Sequence, residues 1–284
     1  MAHILVLFSG GLDSRLAIKL LKKKGYTLTA LFFKLPFASR QPTGLDLLKE
    51  EGVNLHILNC ARGERLEAYL DMLKKPRFGR GKGYNPCLDC KLFMIDQAAD
   101  FALQNGHQAI ATGEVPGQRP MSQTRKKMNI LEKASPLPLI RPLAEKGLQG
   151  RTRQGQMKMA RHYRISYPLP AGGCLLCEKE LKKRHQTLIA HDLINQHTLP
   201  LAMVGRHFYL PSSNTWLVVG RNKEENDVIE PFSTALPSDK GRPAVYYHCG
   251  LYPERAEQEA LQIQKAYQNK DRQGIAYYSR WKLE

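Results

Sequence analysis

The sequence predicts an α/β protein, a parallel twisted sheet with helices on both faces, followed by a smaller α+β C-terminal domain. Three observations lead there. Apolar strand patterns alternate with helical patterns through the first part of the chain, the signature of a parallel sheet wrapped by helices. A glycine turn, "SGGLDS" (9–14), joins the first strand pattern to the first helix pattern. After about residue 170 the alternation gives way to short strand-like runs separated by turn residues.

The elements follow in order. "HILVLF" (3–8) is an unbroken apolar run, as in a strand buried on both faces, and Asp13 to Lys24 carries leucines at helical spacing. "LTALFF" (28–33) and "NLHILNC" (54–60) read as further strands, with "TGLDLLKEEG" between them as a helix. "GERLEAYLDMLKK" and Cys87 to Gln104 read as helices, the second with Leu92, Ile95, Ala99 and Leu103 on one face, and "QAIATG" (108–113) as the next strand. "SYPLPAGG" has the prolines and glycines of a connection, and "EKELKKRHQTLIAHDLINQ" reads as a helix. Beyond it, "RHFYLP", "TWLVVG" and "AVYYHC" read as short strands and "ERAEQEALQIQKAYQN" as a helix. These shifts predict a first domain over 1–170, a linker with a helix over 171–195 and a second domain over 196–284.

Of 284 residues, 43 are Lys or Arg and 26 are Asp or Glu, a formal charge of +17. Between Arg119 and Arg164 twelve basic residues face only Glu132 and Glu145, and "KKPRFGRGK" (74–82) is a second basic run. Such clustering makes a positive field suited to a polyanion, with nucleic acid the usual partner. No stretch approaches the ~18 consecutive apolar residues of a membrane span, and the N-terminus lacks the pattern of a secretory signal. The expected compartment is the cytoplasm, where cysteines stay reduced. The histidines show no metal-ligand spacing, so none is expected to be catalytic.

"SGGLDS" is not a Walker A loop, which needs GxxxxGK[ST], nor a dinucleotide GxGxxG. Its physics is still that of phosphate binding. Gly10 and Gly11 let the backbone approach an anion, the helix N–H groups face it, and Ser9 and Ser14 add hydroxyl donors. A carboxylate at Asp13 would repel phosphates unless a cation lay between them, so Mg²⁺ is implied. These residues resemble the PP-loop of the ATP pyrophosphatase superfamily, whose HUP-like fold splits ATP into AMP and pyrophosphate to activate a substrate oxygen. The resemblance implies ATP on Ser9, Gly10, Gly11, Asp13 and Ser14.

"ATGEVPGQRPMSQTRKKMNILEK" (111–133) resembles the 4-thiouridine synthetase segment reading TGE, GQ, SQT and N, and "PLPLIRPLAEKG" (136–147) resembles the segment after it. Thr112 and Gly113 thereby join the expected ATP site. The RNA-recruiting domains that precede the PP-loop in that synthetase have no counterpart in this sequence. "FYLPSSNTWLVVGRNKEENDVI" (208–229) is similar to the RNA-binding module of the NFACT family, on Gly220, Arg221, Asn222, Glu225, Asn226 and Asp227. RNA contacts are expected from Arg119, Arg125, Lys126, Lys127, Arg151, Arg153 and Arg221.

"NPCLDC" supplies Cys87 and Cys90, and "GGCLLC" supplies Cys174 and Cys177. Four soft thiolates suit a metal, and three readings stand side by side. Resemblance to the 2-thiocytidine and archaeal thiouridine enzymes implies a [4Fe–4S] cluster on Cys87, Cys90 and Cys174, with one iron open to carry sulfide. Alternatively Cys174 pairs with Cys87 or Cys90 as a persulfide and its resolving thiol, or all four thiolates close a Zn²⁺ site. Cys60 ends a strand and reads as a packed core thiol.

The resemblances together imply an ATP-dependent tRNA sulfurtransferase with catalytic residues Asp13, Cys87, Cys90 and Cys174. Its sulfur would come from sulfide, a cysteine desulfurase or a sulfur carrier. A small-molecule PP-loop enzyme and an RNA-binding protein with a nucleotide site are the other classes the residues allow.

Overall fold

The structure is a computed structural model that describes residues 2–38, 41–118, 123–169, 173–239, 241–248 and 252–284. It divides into two compact units, residues 1–81 with 86–174, and residues 82–85 with 175–284.

In the first unit the chain runs β1 (His3–Leu7), α1 (Leu12–Lys23), β2 (Thr27–Lys34), α2 (Leu45–Glu50), β3 (Asn54–Asn59), α3 (Gly63–Lys74) and α4 (Cys87–Gln104). It continues through β4 (Ala109–Ala111), α5 (Arg125–Ala134), β5 (Leu139–Ile140), α6 (Pro142–Glu145) and α7 (Gln154–His162). The five strands form one sheet in the order β3-β2-β1-β4-β5, with every neighbouring pair parallel. Successive residues of β1 point to opposite faces. Ile4 and Val6 enter a core with Leu16, Leu20 and Leu21 of α1, whereas Leu5 packs with Ile95, Ala98 and Ala102 of α4. Helices thus cover both faces, which is why β1 reads as an unbroken apolar run. Each fully buried leucine contributes roughly 1.5–3 kcal/mol.

The second unit runs α8 (Lys182–Ala190), β6 (Arg206–Leu210), β7 (Thr215–Val219), α9 (Lys223–Ile229), β8 (Ala235–Leu236), β9 (Val245–Tyr247), α10 (Pro253–Gln268) and α11 (Arg272–Ser279). Its sheet has the order β6-β7-β9-β8, and its paired strands are antiparallel. One face packs Phe208, Leu217, Val219 and Val245 against Ala260 and Ile263 of α10 and Tyr278 of α11. Residues 82–85 group with this unit, where the Tyr84 N–H donates to the Leu176 carbonyl at 2.8 Å.

Two elements differ from the sequence expectation. The helix expected over 178–196 occupies only Lys182–Ala190. Beyond it Asp192 takes a left-handed φ of 55°, and the Asn195 carboxamide oxygen accepts from the N–H groups of His197 and Thr198, which holds a turn. No pattern of residues marks α11, because "IAYYS" has β-type residues and Gly274 interrupts it. The Asp271 side chain starts that helix by accepting from the Gln273 N–H.

Candidate active site

The strand order reverses direction between β1 and β4, since the chain leaves β1 for β2 on one side and β4 for β5 on the other. Such a switch point opens a crevice at the carboxyl ends of the two strands. Ser9–Ser14 follows β1 and Thr112–Glu114 follows β4, so the two segments singled out in the sequence meet there. A Cβ on Gly113 would stand 2.6 Å from the Asp13 carbonyl carbon and oxygen and 2.8 Å from the Ser14 nitrogen. Only glycine permits that approach.

The loop itself is buttressed from behind. Gly10 has φ +72°, and a Cβ there would stand 2.5 Å from the carbonyl and hydroxyl oxygens of Thr43. Arg15, 5% exposed, donates from Nε to the Gly10 carbonyl at 2.7 Å and from Nη1 to the Ser166 carbonyl at 2.7 Å. Gly44, in the left-handed region, leaves room for that guanidinium. Ser14 Oγ donates to the Gly11 carbonyl at 3.0 Å, and Gly11 caps α1. The backbone is therefore set before any ligand arrives.

Asp13 is the chemically unusual member. Its Oδ1 is buried with no hydrogen-bond partner, and burial raises its pKa while the charge of Arg153 opposes the rise. A carboxylate oxygen left without a donor calls for a cation. Asp13 is therefore the residue of this loop that could hold a hard cation.

Glu114 ties this rim to the helix that carries the first cysteine pair. It is 6% exposed, pairs with Lys91 of α4 and accepts from Arg141 Nε at 3.4 Å and from the Thr112 hydroxyl at 3.2 Å. Arg141 in turn pairs with Glu132 at 3.0 Å. Burial alone would raise the Glu114 pKa, but Lys91 and Arg141 override it and hold the carboxyl below its usual range.

Cys87 and Cys90 occupy the first turn of α4. Cys174 forms a bridge with Ala38, beyond the end of β2. The buried Tyr69 of α3 lies among the thiols of this unit. Its hydroxyl is 3.5 Å from Cys90 Sγ, and its pKa is raised well above the usual value by burial and by the negative charge that Cys90, Cys174 and Cys60 would carry. Burial pushes Cys90 up to about 11 against the Tyr69 hydrogen bond, which lowers it, and Cys87 raises it further. Burial likewise pushes Cys60 up to about 11, in keeping with a packed thiol. Cys177 belongs to the second unit. Among the described residues, no three His, Cys, Asp or Glu side chains are grouped to hold a metal ion.

Of the expected RNA contacts, Arg119 lies outside the described residues. Arg125, Lys126 and Lys127 open α5, and Arg151 and Arg153 precede α7, with Arg153 near Asp13. Arg221 sits in the second unit, where its Nη2 pairs with Glu225 at 2.5 Å and its N–H donates to the same carboxylate at 2.8 Å. The "GRNKEEND" residues build a turn. Asn222 caps α9 by accepting from the Glu225 N–H at 3.0 Å, and Asn226 accepts from the Ala244 N–H at 3.1 Å. His207 is fully buried, accepts from Trp216 Nε1 at 3.1 Å and contacts the Val204 carbonyl at 2.7 Å, and burial holds it neutral.

Sequence reasoning missed Arg15, Thr43, Gly44 and Tyr69. None belongs to a motif, and all act through contacts between segments distant in the chain. The lone Arg15 among the leucines of α1 was the available signal, since a charge on a buried face must have partners.

The family model described as "Thiamine biosynthesis protein (ThiI)" matches residues 1–148. A probable tRNA sulfurtransferase of Halothermothrix orenii is 30% identical over 145 residues, 49% of this chain and 35% of that protein. One of Alkaliphilus oremlandii is 34% identical over 143 residues, with the same coverage of each. The tRNA-specific 2-thiouridylase MnmA of Dechloromonas aromatica is 29% identical over 127 residues, 41% of this chain and 34% of that protein. The chain thus spans about a third of the length of these curated relatives. A crystal structure of a 4-thiouridine synthetase–RNA complex with bound ATP aligns with a TM-score of 0.47 at 22% identity, covering 71% of this chain and 52% of the other. The matched residues 1–148 are more than half of the 284 and hold both loops of the switch point; the chain belongs to the ThiI family.

Proposed function

We propose that the chain is an ATP-dependent tRNA sulfurtransferase that replaces a pyrimidine carbonyl oxygen with sulfur. The observation that carries this reading is the packing of Gly113 on the Asp13 backbone, which sets an orphaned carboxylate oxygen beside a phosphate-binding loop. Membership of the ThiI family and relatives named as tRNA sulfurtransferases supply the substrate class.

The phosphates of ATP would lie on Ser9–Ser14, and Asp13, whose Oδ1 has no partner, would hold a Mg²⁺ that neutralises their charge. The carbonyl oxygen of an extruded base attacks the α-phosphorus, the bond to the β-phosphate oxygen breaks, and pyrophosphate leaves. The fixed loop contributes by placement and by donors already aimed at the phosphates. Arg153 and the basic residues of α5 hold the RNA backbone.

Sulfur transfer is assigned to thiols in this scheme. The terminal sulfur of a cysteine persulfide attacks the activated carbon, and AMP leaves with the former carbonyl oxygen. A second thiolate then attacks the cysteine sulfur, which releases the thionucleotide and leaves a protein disulfide. An external dithiol reduces that disulfide, and a sulfur donor renews the persulfide. Burial pushes Cys90 up to about 11, so it carries little thiolate at neutral pH, and the pair is assigned to Cys87 and Cys174.

The test is pyrophosphate release from ATP. Release that depends on unmodified tRNA and is lost in Asp13→Asn is expected. Release indifferent to tRNA would sink the reading.

A further inference from the structure

The segment between α3 and α4 has a tip that the fold fixes in place. Asp89, 4% exposed, lies on the first turn of α4 between Cys87 and Cys90. Its carboxylate accepts from the Arg77 N–H at 2.8 Å and from the Phe78 N–H at 3.2 Å. At the base of the same segment Arg80 Nη2 donates at 2.6 Å to the carbonyl of Leu73, in the last turn of α3. A buried carboxylate and a guanidinium thus hold the backbone of the tip, and the carboxylate does so from the turn that carries the first cysteine pair.

The side chains of that tip stay outside. Phe78 is 42% exposed, whereas every other described Phe and Tyr of the first unit is buried or half-buried. Arg77 lies over its ring, 5.6 Å from the centroid. Residues 75–81 carry Lys75, Arg77 and Arg80 and no carboxylate, and Lys75 and Arg77 are exposed. A single exposed phenylalanine is ordinary on a protein surface, but one on a fixed backbone beside exposed cations has the chemistry of a stacking platform. Bases stack on aromatic rings and guanidinium planes while cations take the phosphates on either side. The reaction proposed above needs such a platform, because a base taken out of a helix loses its stacking and regains it on the protein.

We propose that Phe78 stacks on an unpaired base of the RNA substrate, with Lys75 and Arg77 on the flanking phosphates. Asp89 is then the positioning residue that keeps this base at the cysteine turn. The proposal rests on RNA being the substrate and adds a ring contact that holds the nucleotide for sulfur transfer, which the positive charge of the segment does not imply.

The test uses the full chain and unmodified tRNA, with anisotropy for binding and pyrophosphate release for turnover. Phe78→Leu keeps an apolar side chain and removes the ring. It should weaken tRNA binding and lower kcat/KM about 10-fold, as expected for one lost base stack. The slope of log affinity against log salt and the melting temperature should stay as in wild type, since no charge and no core contact is lost. Phe78→Tyr, which keeps the ring, should restore binding and turnover to within about twofold. Phe78→Trp should show fluorescence quenching by tRNA beyond that of the wild-type Trp216 and Trp281, which reads the stack without turnover. Lys75→Gln with Arg77→Gln should flatten the salt slope by about 1.4, or two phosphates at ~0.7 each. Phe78→Leu within twofold of wild type in both readouts, a changed salt slope in it, or no added quenching in Phe78→Trp would each overturn the proposal. So would a Phe78→Leu that fails only in taking sulfur from a persulfide-bearing protein, which would make the tip a docking site for the donor. If the wild type releases tRNA-dependent pyrophosphate and Phe78→Leu matches it, the stacking proposal fails and the sulfurtransferase reading stands. If Phe78→Leu weakens tRNA binding as described yet the wild type releases no tRNA-dependent pyrophosphate, the reverse holds.

Discussion

Arg15 Nε donates to the Gly10 carbonyl at 2.7 Å, so a buried cation from the first helix fixes the left-handed turn in front of it. Its guanidinium also reaches the Ser166 carbonyl, near the end of the first unit. Arg15→Met keeps the length of the side chain and removes the donors. It should lower stability by about 2 kcal/mol, as expected when buried carbonyls lose their partners, and should weaken ATP binding more than tRNA binding. Denaturant unfolding and separate titrations with each ligand check this.

Asp13→Asn should separate stability from activity. Burial raises the folded-state pKa of Asp13 above its unfolded value. The folded protein therefore holds the proton more tightly, and stability falls as pH rises from the ordinary aspartate range through the raised value. The Asn variant lacks that decline. Without ATP it should be more stable than wild type at neutral pH by about 1 kcal/mol, yet inactive. Melting temperatures across pH, with turnover measured alongside, decide the matter.

Glu114→Gln should have the opposite sign. Although burial alone would raise it, Lys91 and Arg141 hold this carboxyl below its usual range, so its stabilising contribution is present above the unfolded pKa and is lost as pH falls through the folded one. Removing its charge leaves Lys91 facing a neutral amide and Arg141 with Glu132 and the Met128 carbonyl. A loss of about 3 kcal/mol at neutral pH is expected from breaking a buried pair. The variant should approach wild type at the acid end, which chemical denaturation at several pH values reads directly.

Two thiols, Cys60 and Cys90, should be chemically quiet. With pKa values pushed up to about 11, Cys60 and Cys90 should resist iodoacetamide at neutral pH and label only in strong base. Peptide mass spectrometry after timed alkylation identifies the modified cysteines. Tyr69→Phe removes the hydroxyl that contacts Cys90 and should slow Cys90 labelling further, because that hydrogen bond lowers its pKa.

Much of this was legible in the sequence where the signal is local. The loop glycines, the strand before them and the first turn of α4 lie in unbroken runs of residues, and α4 occupies Cys87–Gln104 as its leucine and alanine spacing predicts. The meeting of Thr112–Glu114 with Asp13 followed from resemblance, and its physical reason, the absent Cβ of Gly113, emerges only from strand order. In the "GRNKEEND" segment Asn222 and Asn226 accept from backbone N–H groups of their own unit, a role that spacing alone does not reveal. The contact of Tyr69 with Cys90 had no sequence signal, because a buried tyrosine on an apolar helix face reads as core.

The central claim is that ATP cleavage at this switch point puts sulfur into tRNA. The direct measurement is mass spectrometry of nucleosides from unmodified tRNA incubated with the protein, Mg·ATP, a persulfide donor and a dithiol. The account predicts a nucleoside with one oxygen replaced by sulfur, formed only with ATP and matched by one AMP, and absent with Asp13→Asn. A thionucleoside formed equally well without ATP, or ATP consumed to AMP with no thionucleoside, would contradict it.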